Sequence, residues 1–409
     1  MNVVVIGAQW GDEGKGKIVD YLAREAQIIV RFSGGANAGH TIVAEDTTYK
    51  LHLVPSGIIS PDKSVVLGIG MVIDPDALFQ ELEMLSSQGV AWEGRVWVSE
   101  RAHVVLPHYK EQDKQMDAKR PRPIGTTGRG IGVTYALKAH REGIRVVDMF
   151  DDALVNELPT QDREFVVAYR PRLKPMMVDT PRYLHDHRND HVLFEGAQGA
   201  LLDLDLGTYP YVSSGNSGSS GAALGGGIGP RAVDSVLGVF KAYSTRVGNG
   251  PFPSEFSTER DGDLEQTIRE LGREYGVTTG RPRRCGYLDL VALRYACISN
   301  SIDSLVLTHL DVYDHLEEIT VCTGYRYSGE VLRDFPASVA VLNGAEPVTE
   351  TFPGWKTSIR GVRTYQELPP EARDYIEFIE SFTETPIHII SVGYDRSETI
   401  ARRDVWTPF

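Results

Sequence analysis

The sequence predicts an α/β fold: a large, mostly parallel central sheet with flanking helices and P-loop-like glycine loops at its strand carboxyl ends. Three observations predict it. The apolar run Val3-Val4-Val5-Ile6 reads as a strand buried on both faces, with a glycine-rich loop and a helix-spaced segment behind it. Residues 27–32 repeat the strand, and Ser33-Gly34-Gly35-Ala36-Asn37-Ala38-Gly39-His40-Thr41 repeats the loop. Two such loops after two early strands are how a doubly wound sheet builds a site at its strand ends.

The first loop carries the densest chemistry. It runs Gly7-Ala8-Gln9-Trp10-Gly11-Asp12-Glu13-Gly14-Lys15-Gly16-Lys17 and precedes a helical pattern over 18–23. Strand, glycine loop and helix point backbone N–H groups and a helix N-terminus at a phosphate. Gly11 to Lys17 satisfies the spacing G-x-x-x-x-G-K, but Ile18 stands where a P-loop has Ser or Thr. That hydroxyl normally helps hold Mg²⁺, so another ligand is needed, and Asp12 is the candidate. A plain surface turn is the bland alternative. Each glycine costs about 0.5–1 kcal/mol relative to alanine in regular structure, which a closely approaching ligand explains better than a turn does.

Composition narrows the function class. The chain has 409 residues, 41% hydrophobic and 24% charged, as in a soluble globular protein. A net charge of −14 gives no global basic field for nucleic acid, so nucleotide binding requires Lys and Arg to be concentrated locally. Cys285, Cys297 and Cys322 are odd in number and lack C-x-x-C spacing, which argues against a disulfide framework or zinc site. A reducing, cytoplasmic setting is expected, with no signal segment and no apolar run long enough to span a membrane.

Along the chain, residues 51–71 read as two short strands around a Pro-Ser-Gly turn, and 74–88 as a helix with Pro75 at its start. Residues 105–123 read as polar and exposed. A third glycine loop follows, Ile124-Gly125-Thr126-Thr127-Gly128-Arg129-Gly130-Ile131-Gly132. Residues 151–190 are the least informative and suit a small helical excursion. Residues 191–194 form a short strand ending at Glu195-Gly196-Ala197-Gln198-Gly199. The Gly/Ser run over 207–230 has a linker's composition, but Tyr209, Tyr211, Val212, Leu224 and Ile228 favour an ordered loop wall. Residues 231–243 read as buried helix or strand, 262–275 and 287–300 as helices, and 304–310 as a strand. The segment 318–328 alternates like an edge hairpin, 370–382 is helical, and 386–392 is a last strand. Between them, Thr278-Thr279-Gly280-Arg281-Pro282-Arg283-Arg284 is the densest basic cluster, suited to carboxylate or phosphate by bidentate forks. Functional loops spread over nearly the whole chain predict one integrated domain, 1–409.

Taken together, these loops resemble the adenylosuccinate synthetase family end to end, most weakly over 151–190. The resemblance rests on five strings in order: 9–17, Asn37-Ala38-Gly39-His40-Thr41, 125–132, Phe194-Glu195-Gly196-Ala197-Gln198-Gly199 and 278–284. It implies the reaction IMP + L-aspartate + GTP → adenylosuccinate + GDP + phosphate, with Mg²⁺. It implies that Asp12 is the base and His40 the acid, with Lys15 assisting. GTP phosphates would lie on Gly11, Asp12, Glu13, Gly14, Lys15, Gly16 and Lys17, with Gly39, His40, Thr41 and Arg283. Guanine would fall to His309, Leu310 and Asp311, with Ser391, Val392 and Gly393 closing over it. IMP would be held by Asp12, Lys15, Asn37, Ala38, Gly39, His40, Thr127, Gln198, Ser213 and Arg281. Arg141 would be lent across a homodimer interface to the neighbouring subunit's IMP phosphate. Aspartate would sit on Val277, Thr278, Thr279, Gly280, Arg281 and Arg283. Asp12 and the Gly39 carbonyl would bind Mg²⁺.

Three departures from the family pattern stand out. Thr308-His309-Leu310-Asp311 has His where the family usually has Lys, so guanine preference over adenine rests on Asp311. Ser213 replaces a threonine in the IMP pocket, and the 151–190 region is shorter than in the common bacterial form. A viral branch using dGMP is the alternative enzyme reading, but there a small residue replaces the catalytic aspartate, which is present here. A non-catalytic GTP-binding regulator would lose the acid, base or arginine fork, and Asp12, His40, Arg281 and Arg283 are all present.

Overall fold

The computed structural model describes residues 1–44, 47–121, 123–276, 280 and 282–408. Its centre is a ten-stranded sheet. In spatial order the strands are Thr399–Ala401, Ile387–Ser391, Ser304–Thr308, Ser235–Lys241, Asn2–Gly7, Val192–Gly199, Ile28–Arg31, Ser64–Leu67, Val96–Ser99 and Met177–Val178. Every pairing is parallel except the antiparallel edge formed by Thr399–Ala401.

Side-chain alternation explains why the first strand is central. Val4 and Ile6 enter one apolar core and Val3 and Val5 the other, and all four are fully buried. A strand apolar at every position can only sit where both faces are covered. One of these cores is shared with the helices Leu290–Asn300 and Pro370–Thr383, the other with Lys15–Leu22 and Pro75–Ser87. The last of these begins as its sequence predicts: Pro75 opens it, and Asp74 caps it by accepting from the Ala77 N–H.

Several expectations are corrected. Residues 51–71 hold one strand of the main sheet, Ser64–Leu67; the Pro-Ser-Gly segment leads into a 3-10 turn, Ser56–Ile59. His40 and Thr41 belong to a hairpin, His40–Ala44 with Thr47–Leu51, rather than to a loop. Much of the polar 105–123 stretch is a helix, Pro107–Lys119, that buries only Tyr109 and Asp113. The 151–190 region is helical, but it also supplies the edge strand Met177–Val178. The segment 318–328 is no edge. Glu318–Tyr327 is the middle strand of a second sheet, paired with Leu288–Asp289, Glu330–Leu332 and Glu346–Pro353. Residues 386–392 are followed by one more strand, Thr399–Ala401.

The Gly/Ser run is ordered, as its apolar residues favour, and its core is a helix, Ser219–Gly226, rather than a loop wall. Its small residues allow backbone-to-backbone packing. A Cβ on Gly225 would overlap the Phe32 carbonyl oxygen, and one on Gly68 would overlap the Gly225 carbonyl oxygen.

Candidate active site

A cavity of about 580 Å³ opens at the carboxyl ends of the central strands. That volume lies within the range that holds small-molecule ligands. Segments after Asn2–Gly7, Ile28–Arg31, Val192–Gly199, Ser304–Thr308 and Ile387–Ser391 all reach it.

The first loop is built around a buried carboxylate. Glu13 accepts from the N–H groups of Gln9 (3.2 Å) and Gly11 (2.8 Å) and from Lys15 Nζ (2.6 Å). Burial pushes the Glu13 carboxyl up, but the Lys15 ammonium and these donors outweigh it and hold the group below its ordinary range. Gly7 has to be glycine, because a Cβ there would overlap the Glu13 carboxylate. Gly11 and Gly14 take left-handed backbone, with φ of 89° and 84°, and so does Asp12, with φ of 60°. Asp12 is thus a non-glycine residue in a sparsely populated backbone region on the cavity wall. Asp12 lines the cavity, and Arg283 Nε lies 2.9 Å from its Oδ2 as an ion pair.

Arg283 is itself held from behind. Its Nη1 donates to Glu274 Oε2 at 2.7 Å, and Glu274 Oε1 accepts from Lys241 Nζ at 2.6 Å and the Tyr243 hydroxyl at 2.5 Å. Burial raises the Glu274 carboxyl, but Lys241, His309 and Arg283 bring it down to about 2. His309 stands edge-on to Tyr243 and close to Gly14. Burial, with Lys241 beside it, brings His309 down to about 4, so the ring is neutral near pH 7.

The second loop presents His40. Its Nδ1 is paired with Glu195, which also accepts from the Ser56 N–H (2.8 Å) and hydroxyl (2.7 Å). The other ring nitrogen, Nε2, is buried without a hydrogen-bond partner among the described residues, in a side chain that lines the cavity. Glu195 lies 155 residues from His40 and was no candidate from the sequence, although it stands inside a quoted motif. A carboxylate closing a buried strand was the available signal. Burial raises its carboxyl, but His40 and Ser56 carry it below the ordinary value.

Lys17 turns to the last loop, where Nζ donates to Ser391 Oγ (2.7 Å), Gly393 O (2.7 Å) and Glu398 O (3.0 Å). Burial lowers this ammonium to about 8 against the pull of Glu398 and Asp311. Asp311 lines the cavity and faces Arg360 at 3.4 Å. Burial raises its carboxyl against that arginine.

The cavity wall therefore gathers Gly11 to Lys17, Asn37, Ala38, Gly39, His40, Thr41, Gln198, Arg283, His309, Asp311, Ser391 and Gly393. Leu310 and Val392 lie buried behind it. Thr127, Arg141, Ser213 and Gly280 are not on the wall; Thr127 and Arg141 are exposed. Val277, Thr278, Thr279 and Arg281 lie outside the described residues. The sequence reasoning also missed Trp10, Arg273, Tyr275 and Tyr394, which line the cavity.

Comparison with known proteins bears on this geometry. The family described as adenylosuccinate synthetase matches residues 4–400. The adenylosuccinate synthetase of Desulforamulus reducens is 48% identical, covering 99% of each chain. That of Synechocystis sp. is 48% identical, covering 98% of this chain and 95% of the other. The fully ligated adenylosuccinate synthetase from Plasmodium falciparum superposes with a TM-score of 0.90 at 39% identity, covering 98% and 99% of the two chains. Cyanophage S-2L succinoaminodeoxyadenylate synthetase, bound to dGMP and dATP, shares the fold alone, at 21% identity and a TM-score of 0.65. The chain belongs to the adenylosuccinate synthetase family and is a GTP-dependent ligase that joins L-aspartate to IMP.

Proposed function

We propose that Asp12 is the base and His40 the acid of this ligation, acting across the one cavity. Asp12 takes the N1 proton of IMP, so that O6 becomes nucleophilic and attacks the γ-phosphorus of GTP. GDP leaves. The aspartate amine then attacks C6, and the phosphoryl group departs with the former O6 as phosphate. His40 Nε2 hydrogen-bonds the transferring group while Glu195 holds the opposite ring nitrogen. Lys15 and the N–H groups of the first loop stabilise charge on the phosphoryl oxygens. Asp311 accepts from the two adjacent N–H groups of guanine, which adenine lacks. The observation that carries this reading is the shared wall: Asp12 on its left-handed turn and the unpartnered His40 nitrogen face one cavity.

Mg²⁺ fits this wall as a guest of the nucleotide. Among the described residues no group of three or more His, Cys, Asp or Glu forms a metal cage. Mg²⁺ is commonly held by one or two protein oxygens together with substrate phosphates. Asp12 and Gly39 would supply those oxygens, and a Cβ at Gly39 would meet nothing within 4 Å, so the backbone there is open to a ligand. When bound, the ion neutralises charge on the phosphoryl oxygens.

IMP would extend from this wall toward Thr127 and Ser213, and aspartate toward 277–283. Arg141 lies outside the cavity of its own chain, which supports its loan to a partner subunit in a homodimer. Three free, buried cysteines support a cytoplasmic setting, and no helix among the described residues is long and apolar enough to cross a membrane.

Isotope transfer tests the reading. IMP labelled with ¹⁸O at O6 should deliver its label to the released phosphate. Asp12→Asn should lower turnover by about 10²–10⁴-fold while GTP binding stays within about tenfold. Label released as water while the phosphate stays unlabelled, or turnover unchanged in Asp12→Asn, overturns it.

A further inference from the structure

Beyond Asp311, one end of the cavity carries a stacked set of side chains that the reaction steps leave unused. Asp311 lies on the wall with its side chain mostly buried. Its ion-pair partner among the described residues is Arg360, whose side chain stays half exposed. Arg360 Nε and Nη2 both lie 3.4 Å from the same oxygen, Oδ2, so the arginine leaves Oδ1 untied. Burial pushes the Asp311 carboxyl above its ordinary range and Asp314 adds to the rise, while Arg360 opposes it. Lys17 also feels Asp311, but its ammonium is committed to Ser391 Oγ and the carbonyls of Gly393 and Glu398.

Arg360 is seated on a ring. Its guanidinium carbon lies 4.9 Å from the centroid of Tyr394, and that of Arg273 lies 4.8 Å from the same centroid. Tyr394 follows the strand Ile387–Ser391 and donates its hydroxyl to the Leu271 carbonyl at 3.2 Å. Arg273 takes left-handed backbone, with φ of 53°, just past the helix Leu264–Leu271. Arg273 and Tyr394 line the cavity, and Arg360 stands behind them off the wall. An exposed arginine ordinarily gains little from an ion pair, because its long side chain has to be held still. Here the face of the Tyr394 ring does the holding.

We infer that Arg360 is a positioning residue for the base of GTP: seated on Tyr394, it supplies the counter-charge of Asp311 and sets that carboxylate's direction, and so the affinity for guanine, without touching the base. This rests on the reading of Asp311 as the acceptor for guanine. A neutral purine laid against Asp311 strips water from a carboxylate and brings no charge in return. Such a carboxylate needs a cation that stays in place when the ligand arrives. The effect therefore falls on the base and spares the phosphates.

Steady-state kinetics on Arg360→Met in the full chain tests this. Methionine keeps much of the stem and removes the charge. KM for GTP should rise about tenfold, with kcat and the KM for IMP within about twofold. Inorganic tripolyphosphate, which has no base, should inhibit parent and variant alike. Arg360→Lys, which restores a cation, should recover part of the lost affinity. An unchanged or lowered KM for GTP in Arg360→Met, a lysine variant no better than the methionine one, or an equal weakening of GTP and tripolyphosphate overturns the inference. Asp311→Asn separates it from the reading beneath it. If that variant leaves KM for GTP unchanged, guanine is not read at Asp311 and both fall. If it raises KM while Arg360→Met does not, only the role of Arg360 falls.

Discussion

At residue scale, the site is a set of ionisable groups whose neighbours fix their charge. His309 shows this most directly. Burial keeps its imidazole neutral down to about pH 4, whereas in the unfolded chain it takes up a proton near 6.5. Between those values the unfolded chain binds more protons, so stability falls as pH falls from about 6.5 to 4 and changes no further below that. His309→Asn should therefore flatten the stability profile in this window. At pH 5 the parent should have lost up to about 2 kcal/mol more than the variant, relative to pH 7, by urea denaturation. Equal losses would show that the ring is hydrated. Asp12 and Lys15 stood out in advance from the spacing of their glycine loop, and His40 and Asp311 from the family resemblance; all four line the cavity. Glu195 and Glu274 did not stand out, because each draws its meaning from a partner far away or from buried cations that only the fold assembles.

Elements follow from spacing where one face or both faces are apolar, and from packing where spacing is silent. The strands Asn2–Gly7 and Ile28–Arg31 and the helix Pro75–Ser87 were readable from runs, periods and caps. The helix Ser219–Gly226 was not, since glycine and serine are poor helix formers in isolation. Its reason is tertiary: it presses its backbone against Phe32 and Gly70. Gly225→Ala should accordingly destabilise the fold by about 1–3 kcal/mol, through overpacking rather than propensity. Alanine is the better helix former, so a stabilised variant in denaturant titration would refute the close approach. The strand Glu318–Tyr327 was misplaced for a related reason. Alternation marks a half-buried strand but does not count its neighbours.

For the whole molecule, the central sheet collects loops from nearly the full length of the chain at one edge. That much follows from strands alternating with glycine loops. The relation between two copies does not, and Arg141 bears on it. It caps the helix Ile131–His140 in left-handed backbone and is exposed. If it completes a neighbour's site, Arg141→Leu mixed with Asp12→Asn should regain activity, because hybrid dimers hold one site with both wild-type residues. Random exchange predicts about a quarter of the parent activity, as half of the dimers are hybrid with one intact site each. Activity no higher than that of the separate variants would mean that each chain furnishes its own arginine.

The position of the first strand also bears on how the protein is made. Asn2–Gly7 leaves the ribosome early, yet both strands that flank it, Val192–Gly199 and Ser235–Lys241, lie far downstream. At translation rates of about 5–20 residues per second, its hydrogen-bonding edges wait roughly ten seconds or more for the first of them. Through that interval the apolar run Val3 to Ile6 lacks both of its sheet partners, so its exposed edges are open to pairing with other β segments.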